Sequence, residues 1–387
     1  MATGTTTSSS LTVSPQVLIE AVREGMQGMR VLGNLGVVTV NASLPTSDRF
    51  AGETITVPYL AHLGPWKEYA ENAEIEITQL TDSAETATVV RPGKAFTVTD
   101  MARILRGYAS PMEAGRAMVQ DGLSQYVETK ALGALLALGT AVPAVKVNVH
   151  SDATPHYYDR DFHIRVRSAF GDETKGIVGT IAHSQVINRM LTLKNGEGDP
   201  HHKVLEQDDE NGVYVFEGLG RFYASDLMSV VYAVTAAGTT PPAVTIAGSP
   251  KGMYDQIRVE ITTLGARGTA QCRLSTDGGA TWVASGVTIP ASDGIVDRTS
   301  DLGLTFTFAA GTYATDNLYT SRGKASTMVV KRGAAVLWHN DFGSIESQRD
   351  VRRKNEVVAA DLLCVVHAYK KTNGGTRPGV AIGEHNV

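Results

Sequence analysis

A single strong helix-start signal, Ser110-Pro111-Met112-Glu113, stands in a chain whose text otherwise reads mostly as strands. It is a capping box with proline at the first helical position: the serine satisfies a free N–H of the first turn and the glutamate reaches back to the cap. Downstream, Val119, Leu123, Tyr126, Val127, Ala131, Leu135 and Leu138 recur at helical spacing as one apolar stripe. Glu113, Arg116, Gln120, Gln125 and Lys130 fall mostly outside it. A helix running to about Leu138 with one apolar side needs a sheet to cover that side, so the fold class is α+β.

The strand text surrounds this helix. Gln16 to Met29 carries a short helical pattern through Val17, Leu18, Val22 and Met26, followed by a strand-like LGVVTV at Leu35 to Val40. This opening reads as an extended arm. From Glu53 to Val98 the runs ETITVPYL, EIEITQL, TATVV and AFTVT follow one another. Ile75 and Ile77 alternate with Glu74, Glu76 and Thr78, the mark of a strand with one wet face. The acidic, Ser/Thr-rich Thr81 to Thr86 is expected to be a turn, which makes the whole segment a protruding two-stranded ribbon.

After the long helix comes an irregular, His-rich stretch, then a shorter helix from near Ser184 through Val186, Ile187, Met190 and Leu191 to Asn195-Gly196. Asn211-Gly212, between KVLEQ and VYVFEG, signals a tight hairpin. Between Ala236 and Arg322 the composition shifts to Gly, Thr, Ala and Asp, with short strands at close spacing, which points to a small all-β unit. Pro241-Pro242 and Ser321-Arg322-Gly323 read as its two seams. STMVVKRGAAVLW then resumes what stopped near Val231, so the β unit reads as an insertion.

Composition narrows the function. The 387 residues are 42% hydrophobic and 19% charged, enough for two or three domains with real cores. A net charge of −5 supplies no basic field to grip a nucleic-acid backbone. Cys272 and Cys364 lie far apart in strand-like text and read as small core residues, with no disulfide framework or zinc site. No apolar run is long enough to span a bilayer and the N-terminus lacks the pattern of a signal peptide, so a soluble, non-exported chain is expected.

Ser275, Asp277, Gly279 and Trp282 match the S-x-D-x-G-x-T-W pattern of an Asp-box. Its content is a hairpin: the Asp accepts bonds from the turn backbone, the glycines permit positive φ, and the Trp is expected to pack beneath. Propeller enzymes repeat this motif, whereas here it occurs once, so it reads as a folding element, with glycan binding as an alternative use. His150, His156, His163, His183, His201 and His202 show no metal-ligand spacing and read as loop and surface histidines. Asp208 to Glu210 lacks the alternation of a calcium loop. Without a nucleophile elbow, Walker or dinucleotide motif, no residue is nominated as catalytic, and neither cofactor nor metal is expected.

One charged run remains to be explained, in ESQRDVRRKNEVVAADLLCVVHAY, Glu346 to Tyr369. With ITVP, RPGKAFTVTDMA, AHSQV and the Gly333-Ala334 step, the order of elements resembles the major capsid protein of tailed bacteriophages, the Hong Kong 97-like shell fold. The similarity covers most of the chain outside Ala236 to Arg322. It implies an N-terminal arm at 1–50, an extended E-loop at 51–100 and a peripheral domain with its spine helix at 101–170. An axial domain at 171–235, the inserted β-sandwich-like domain at 236–322, an axial return at 323–340 and peripheral C-terminal strands at 341–387 complete it.

On this resemblance the charges face neighbouring subunits: Glu346, Arg349, Asp350, Arg352, Arg353, Lys354 and Glu356, with Trp66, Lys67 and Glu68 of the E-loop, are contact candidates. The implied function is a structural, non-enzymatic one. Copies would form the hexamers and pentamers of an icosahedral virion shell, assembled in the host cytoplasm, with a portal protein and a separate scaffolding protein as partners. The shell would enclose double-stranded DNA without sequence-specific binding and without a membrane. The E-loop tip lacks lysine, so no covalent crosslinking between subunits is implied. An encapsulin-like compartment shares the fold and is the alternative.

Overall fold

A computed structural model of the chain describes residues 31–33, 35–41, 54–60, 82–99, 111–150, 156–193, 202–208, 212–228, 230–248, 250–252, 254, 256–339, 345–350, 355–361, 364–370 and 378–386. For 41, 56–60, 82–84, 96–99, 111–121, 345–350 and 355–361 the description is of the backbone alone. The expected helix at Gln16 to Met29, the strand at Glu74 to Leu80, and Trp66, Lys67, Glu68, Arg352, Arg353 and Lys354 lie outside the described residues. The fold is α+β, and the chain divides into two compact units, 1–142 with 331–380 and 143–330 with 381–387.

The first unit is organised by the helix Pro111–Ala141. Its stripe is realised: Val127, Ala131, Leu132, Leu135 and Leu138 are buried. It packs on the strand Cys364–Ala368. That strand runs antiparallel to Ala335–His339, which lies parallel to Val38–Asn41, with Val38 opposite Ala335. Gly333, at φ +67°, makes the turn into this sheet in a backbone region that costs a residue with a Cβ about 1 kcal/mol. Glu128 of the helix is buried and accepts a bond from the Val31 N–H at 3.0 Å, so the start of the described chain is tied to the helix.

In the same unit Thr54–Leu60 and Asp82–Thr88 form an antiparallel ribbon, with Thr54 opposite Thr88 and Leu60 opposite Asp82. The turn expected at Thr81 to Thr86 is therefore a strand from Asp82 onward. The polar text misleads because its alternation has one buried face: Glu85 and Ala87 are buried while Thr86 and Thr88 are exposed. Ile55 and Ala87 pack with Val336, Trp338 and Val365. A further sheet orders Ile345–Asp350, Asn355–Asp361 and Gly93–Thr99.

The second unit is built on one fourteen-residue strand, Leu318–Lys331. Its sheet runs in the order 284–288, 271–275, 257–263, 318–331, 177–182, 220–224, 213–216, 204–208, with 230–237 and 380–386 also paired to the long strand. Two cores line it. One gathers Phe162, Val166, Phe170, Val186, Ile187, Met190, Phe216 and Phe222 beneath the helices Arg160–Ser168 and Ser184–Thr192. The other gathers Tyr232, Ile257, Val259, Cys272 and Leu274 with Val244, Leu304, Phe306 and Phe308, contributed by a second sheet ordered 244–248, 304–308, 295–298.

Three details depart from the sequence reading. The His-rich stretch contains the helix Arg160–Ser168, capped by Asp159, whose Oδ1 accepts from the Phe162 N–H at 2.7 Å. Residues 236 and 322 fall inside the continuous strands Val230–Ala237 and Leu318–Lys331. The last strand, Val380–Asn386, read from the sequence with the strands before it, lies in the sheet of this second unit, parallel to Lys146–Asn148.

Candidate assembly surfaces and the Asp-box

The charged run that opens the C-terminal text contributes two paired strands. Ile345–Asp350 pairs antiparallel with Asn355–Asp361, setting Arg349 opposite Glu356 and Asp350 opposite Asn355. Glu346 stands opposite Ala359. Asn355–Asp361 also pairs antiparallel with Gly93–Thr99, with Glu356 opposite Val98, so this strand pair and Gly93–Thr99 share one sheet.

The Asp-box is fully ordered as a turn. Asp277 Oδ1 accepts from the Thr281 N–H at 2.9 Å, and Oδ2 accepts from the Thr281 hydroxyl at 2.6 Å. Ser275 Oγ lies 2.7 Å from Asp277 Oδ1 and accepts from the Gly279 N–H at 2.8 Å. These bonds hold the exposed Asp277 carboxyl far below the usual carboxylate range. Gly278 and Gly279 take φ of +75° and +106°, as the motif requires. Trp282, however, does not enter the core. It is half-buried, with the Arg273 guanidinium 3.9 Å from its ring centre, and Arg273 pairs with Glu260 at 2.9 Å. The bonds of Ser275 and Asp277 brace the turn.

Several other buried polar groups brace the fold. Glu384 of the last strand is 9% exposed and its Oε1 lies 2.8 Å from both Lys146 Nζ and Lys324 Nζ, joining three strands. The two lysines pull its carboxyl below the ordinary range against the opposing effect of burial. Glu85 meets His367 at 3.0 Å beneath Trp338. His163 meets the Tyr158 hydroxyl at 2.7 Å, His150 meets Asn386 at 2.6 Å, and His183 caps its helix by accepting from the Gln185 N–H at 3.1 Å. Among the described residues no three potential metal ligands cluster, and no helix is long and apolar enough to cross a membrane. Cys272 and Cys364 are free and buried; burial pushes their thiols up to about 12 and about 11.

One surface escaped the sequence reading. The helix Arg160–Ser168 exposes Arg160, Ile164, Arg165 and Arg167 outward while burying Phe162, His163 and Val166. The Asp159 cap before this run is the signal that identifies it.

No family profile matches the chain, and no curated protein does. Solved structures do. The capsid of Ralstonia phage GP4 aligns over 99% of this chain and 95% of that chain, at 10% identity and a TM-score of 0.50. A Microbacterium phage Oxtober96 structure covers 90% of this chain and 89% of that one, at 10% identity and a TM-score of 0.45. An encapsulin complex from Synechococcus elongatus PCC 7942 covers 99% and 92%, at 10% identity and a TM-score of 0.45. Over nearly its whole length the chain has the fold of the Ralstonia phage GP4 capsid, the Hong Kong 97-like shell fold.

Proposed function

We propose that this chain is a major capsid protein whose copies close an icosahedral shell around the double-stranded DNA of a tailed bacteriophage. The observation that carries the reading is the end-to-end likeness to the GP4 capsid, 99% of one chain on 95% of the other. The chemistry agrees with it. The buried polar groups described above are engaged in bracing the fold, and a net charge of −5 suits a container that need not grip its contents.

In this reading the paired strands 345–350 and 355–361 and the ribbon that begins at 54–60 meet neighbouring subunits. Each such edge adds a modest contact, and many of them close hexamers, pentamers and then the shell. Arg349, Asp350, Arg352, Arg353, Lys354 and Glu356 offer both signs of charge to a neighbour, as do Lys67 and Glu68, with Trp66 as an apolar anchor. The segment 236–322 is an inserted β domain carried on the paired strands 230–237 and 318–331. A portal protein and a separate scaffolding protein are the partners in the host cytoplasm, and the finished chain resides in the virion.

Electron microscopy of the purified full chain, expressed alone and with its neighbouring reading frames, tests this. Closed polyhedral shells or flat capsomers are the expected result. A discrete small oligomer under every condition overturns it.

A further inference from the structure

Six large hydrophobic side chains stand exposed among the described residues, and two of them are set among charges of opposite sign. Ile164, 54% exposed, lies on the outer side of the helix Arg160–Ser168. Around it Arg160, Arg165 and Arg167 are exposed, none in an ion pair with a described residue, and Asp161 with the cap Asp159 opposes them, leaving a local charge of +3 − 2 = +1. Arginine beside an exposed aliphatic is the composition of the buried centre of a protein contact more than of open surface.

Ile295, 39% exposed, opens the strand Ile295–Arg298, which has a neighbour on one side only, the strand Leu304–Phe308. Asp293 and Asp297 flank it, both exposed. Each carboxylate is fixed in place by a backbone N–H of its own turn: Ile295 to Asp293 at 3.0 Å and Thr299 to Asp297 at 2.9 Å. Arg298 is already paired with Asp301, and the Arg267 guanidinium packs against Gly294 between Asp293 and Ile295, so the local charge of this edge is −2 + 1 = −1. The two fixed carboxylates and the apolar Ile295 lie together along this edge.

The two patches belong to different cores of the same unit, the helix to that of Phe162 and Val166, the strand to that of Val296 and Phe306. Each has one exposed isoleucine, and their net charges are opposite in sign. We propose that the arginine face of Arg160–Ser168 and the acidic edge strand Ile295–Arg298 are the two halves of a head-to-tail contact between copies of this chain. The contact deepens the shell reading above and rests on it. Copies of net charge −5 repel, and the helix face is a place where that repulsion reverses. A contact between two different patches propagates from copy to copy, which is what a ring of identical subunits requires.

The test uses the full chain in two charge-reversed forms, Arg165→Glu with Arg167→Glu, and Asp293→Lys with Asp297→Lys. Association is followed by light scattering and microscopy, and the fold of each variant by thermal melting. Each variant alone sets like charges against each other, and the expected effect is at least a ~10-fold rise in the concentration needed for assembly. Mixing the two restores association, because the acidic edge of the first then meets the arginine face of the second and the reversed pair also matches. If the lysine variant melts early, Asp293→Asn with Asp297→Asn keeps the turn bonds and removes the charge; it must also weaken assembly. Wild-type shells together with variants that assemble normally overturn the contact and leave the shell reading intact. Defective variants that mixing does not rescue also overturn it. A wild-type chain that never self-associates overturns both.

Discussion

Two buried histidines give this chain an acid limit. His163 and His385 are both pushed down to about 4, chiefly by burial; the nearby Arg167 adds to this for His163. For His385 a bond to the Asn386 backbone works the other way, as does Asp159, while His150 and Arg189 lower it further. An unfolded chain binds protons at these sites near pH 6.5 and the folded one only near 4, so their contribution is fully present above 6.5 and is lost as pH falls through 4. Each is worth on the order of 2–3 kcal/mol across that window. Urea unfolding at pH 7, 6, 5 and 4.5 should show the folding free energy falling, and His163→Gln with His385→Gln should flatten the curve. Equal slopes for variant and wild type would sink this account. Glu384 acts further into acid by another route: its carboxyl is held below the ordinary range, and protonating it there breaks its link to Lys146 and Lys324.

At the scale of elements, the helix on the last strand of the second unit is held by a close approach. A Cβ on Gly383 would lie 2.7 Å from Val166 Cγ2 and 2.8 Å from two ring atoms of Phe162, all on the helix Arg160–Ser168. Gly383→Ala should therefore destabilise by about 1–3 kcal/mol through overpacking, read as a lower melting temperature. An unchanged melt would mean that the helix can lift from the strand at no cost.

This same helix shows where sequence legibility ended. Pro111–Ala141 was legible because cap, proline and a long stripe agreed. Arg160–Ser168 was not, because Phe162, Ile164 and Val166 alternate with His163, Arg165 and Arg167 and so carry the two-residue period of a strand over six of its residues. Asp82–Thr88 failed in the opposite sense: its polar letters read as a turn, while partners more than two hundred residues away, His367 and the Lys370 N–H, satisfy Glu85 inside. Trp282 of the Asp-box was expected to pack beneath its hairpin; the arginine stacked on it, Arg273, comes from the neighbouring strand, and no local pattern encodes that choice. The order of elements along the chain was enough to indicate the shell fold, and the assembly face at Ile164 required the coordinates.

At the scale of the molecule, the root of the segment 238–317 determines whether that segment can be removed from its unit without unfolding the rest. Ala237 stands opposite Leu318 at the end of a continuous antiparallel pair, so the two ends of the segment are already neighbours. They are tied further by Asp316 Oδ2, which accepts from the Thr239 N–H at 2.9 Å and its hydroxyl at 2.7 Å, and by Asn317 Nδ2 donating to the Thr239 carbonyl at 3.1 Å. An Asn-Gly turn in place of 238–317, with Tyr232→Thr and Tyr319→Thr to replace the two aromatics that face the excised core, should close the hairpin directly. The core of Phe162, Val186 and Phe222 shares no fully buried residue with the excised one, so the shortened chain should fold and melt cooperatively. It also loses the edge strand Ile295–Arg298. Its assembly should therefore need at least ~10-fold more protein, the same deficit expected when Arg165 and Arg167 are reversed, and reversing them in the shortened chain should add nothing further. Assembly of the shortened chain at the wild-type concentration would show that the β domain decorates the shell without joining its subunits.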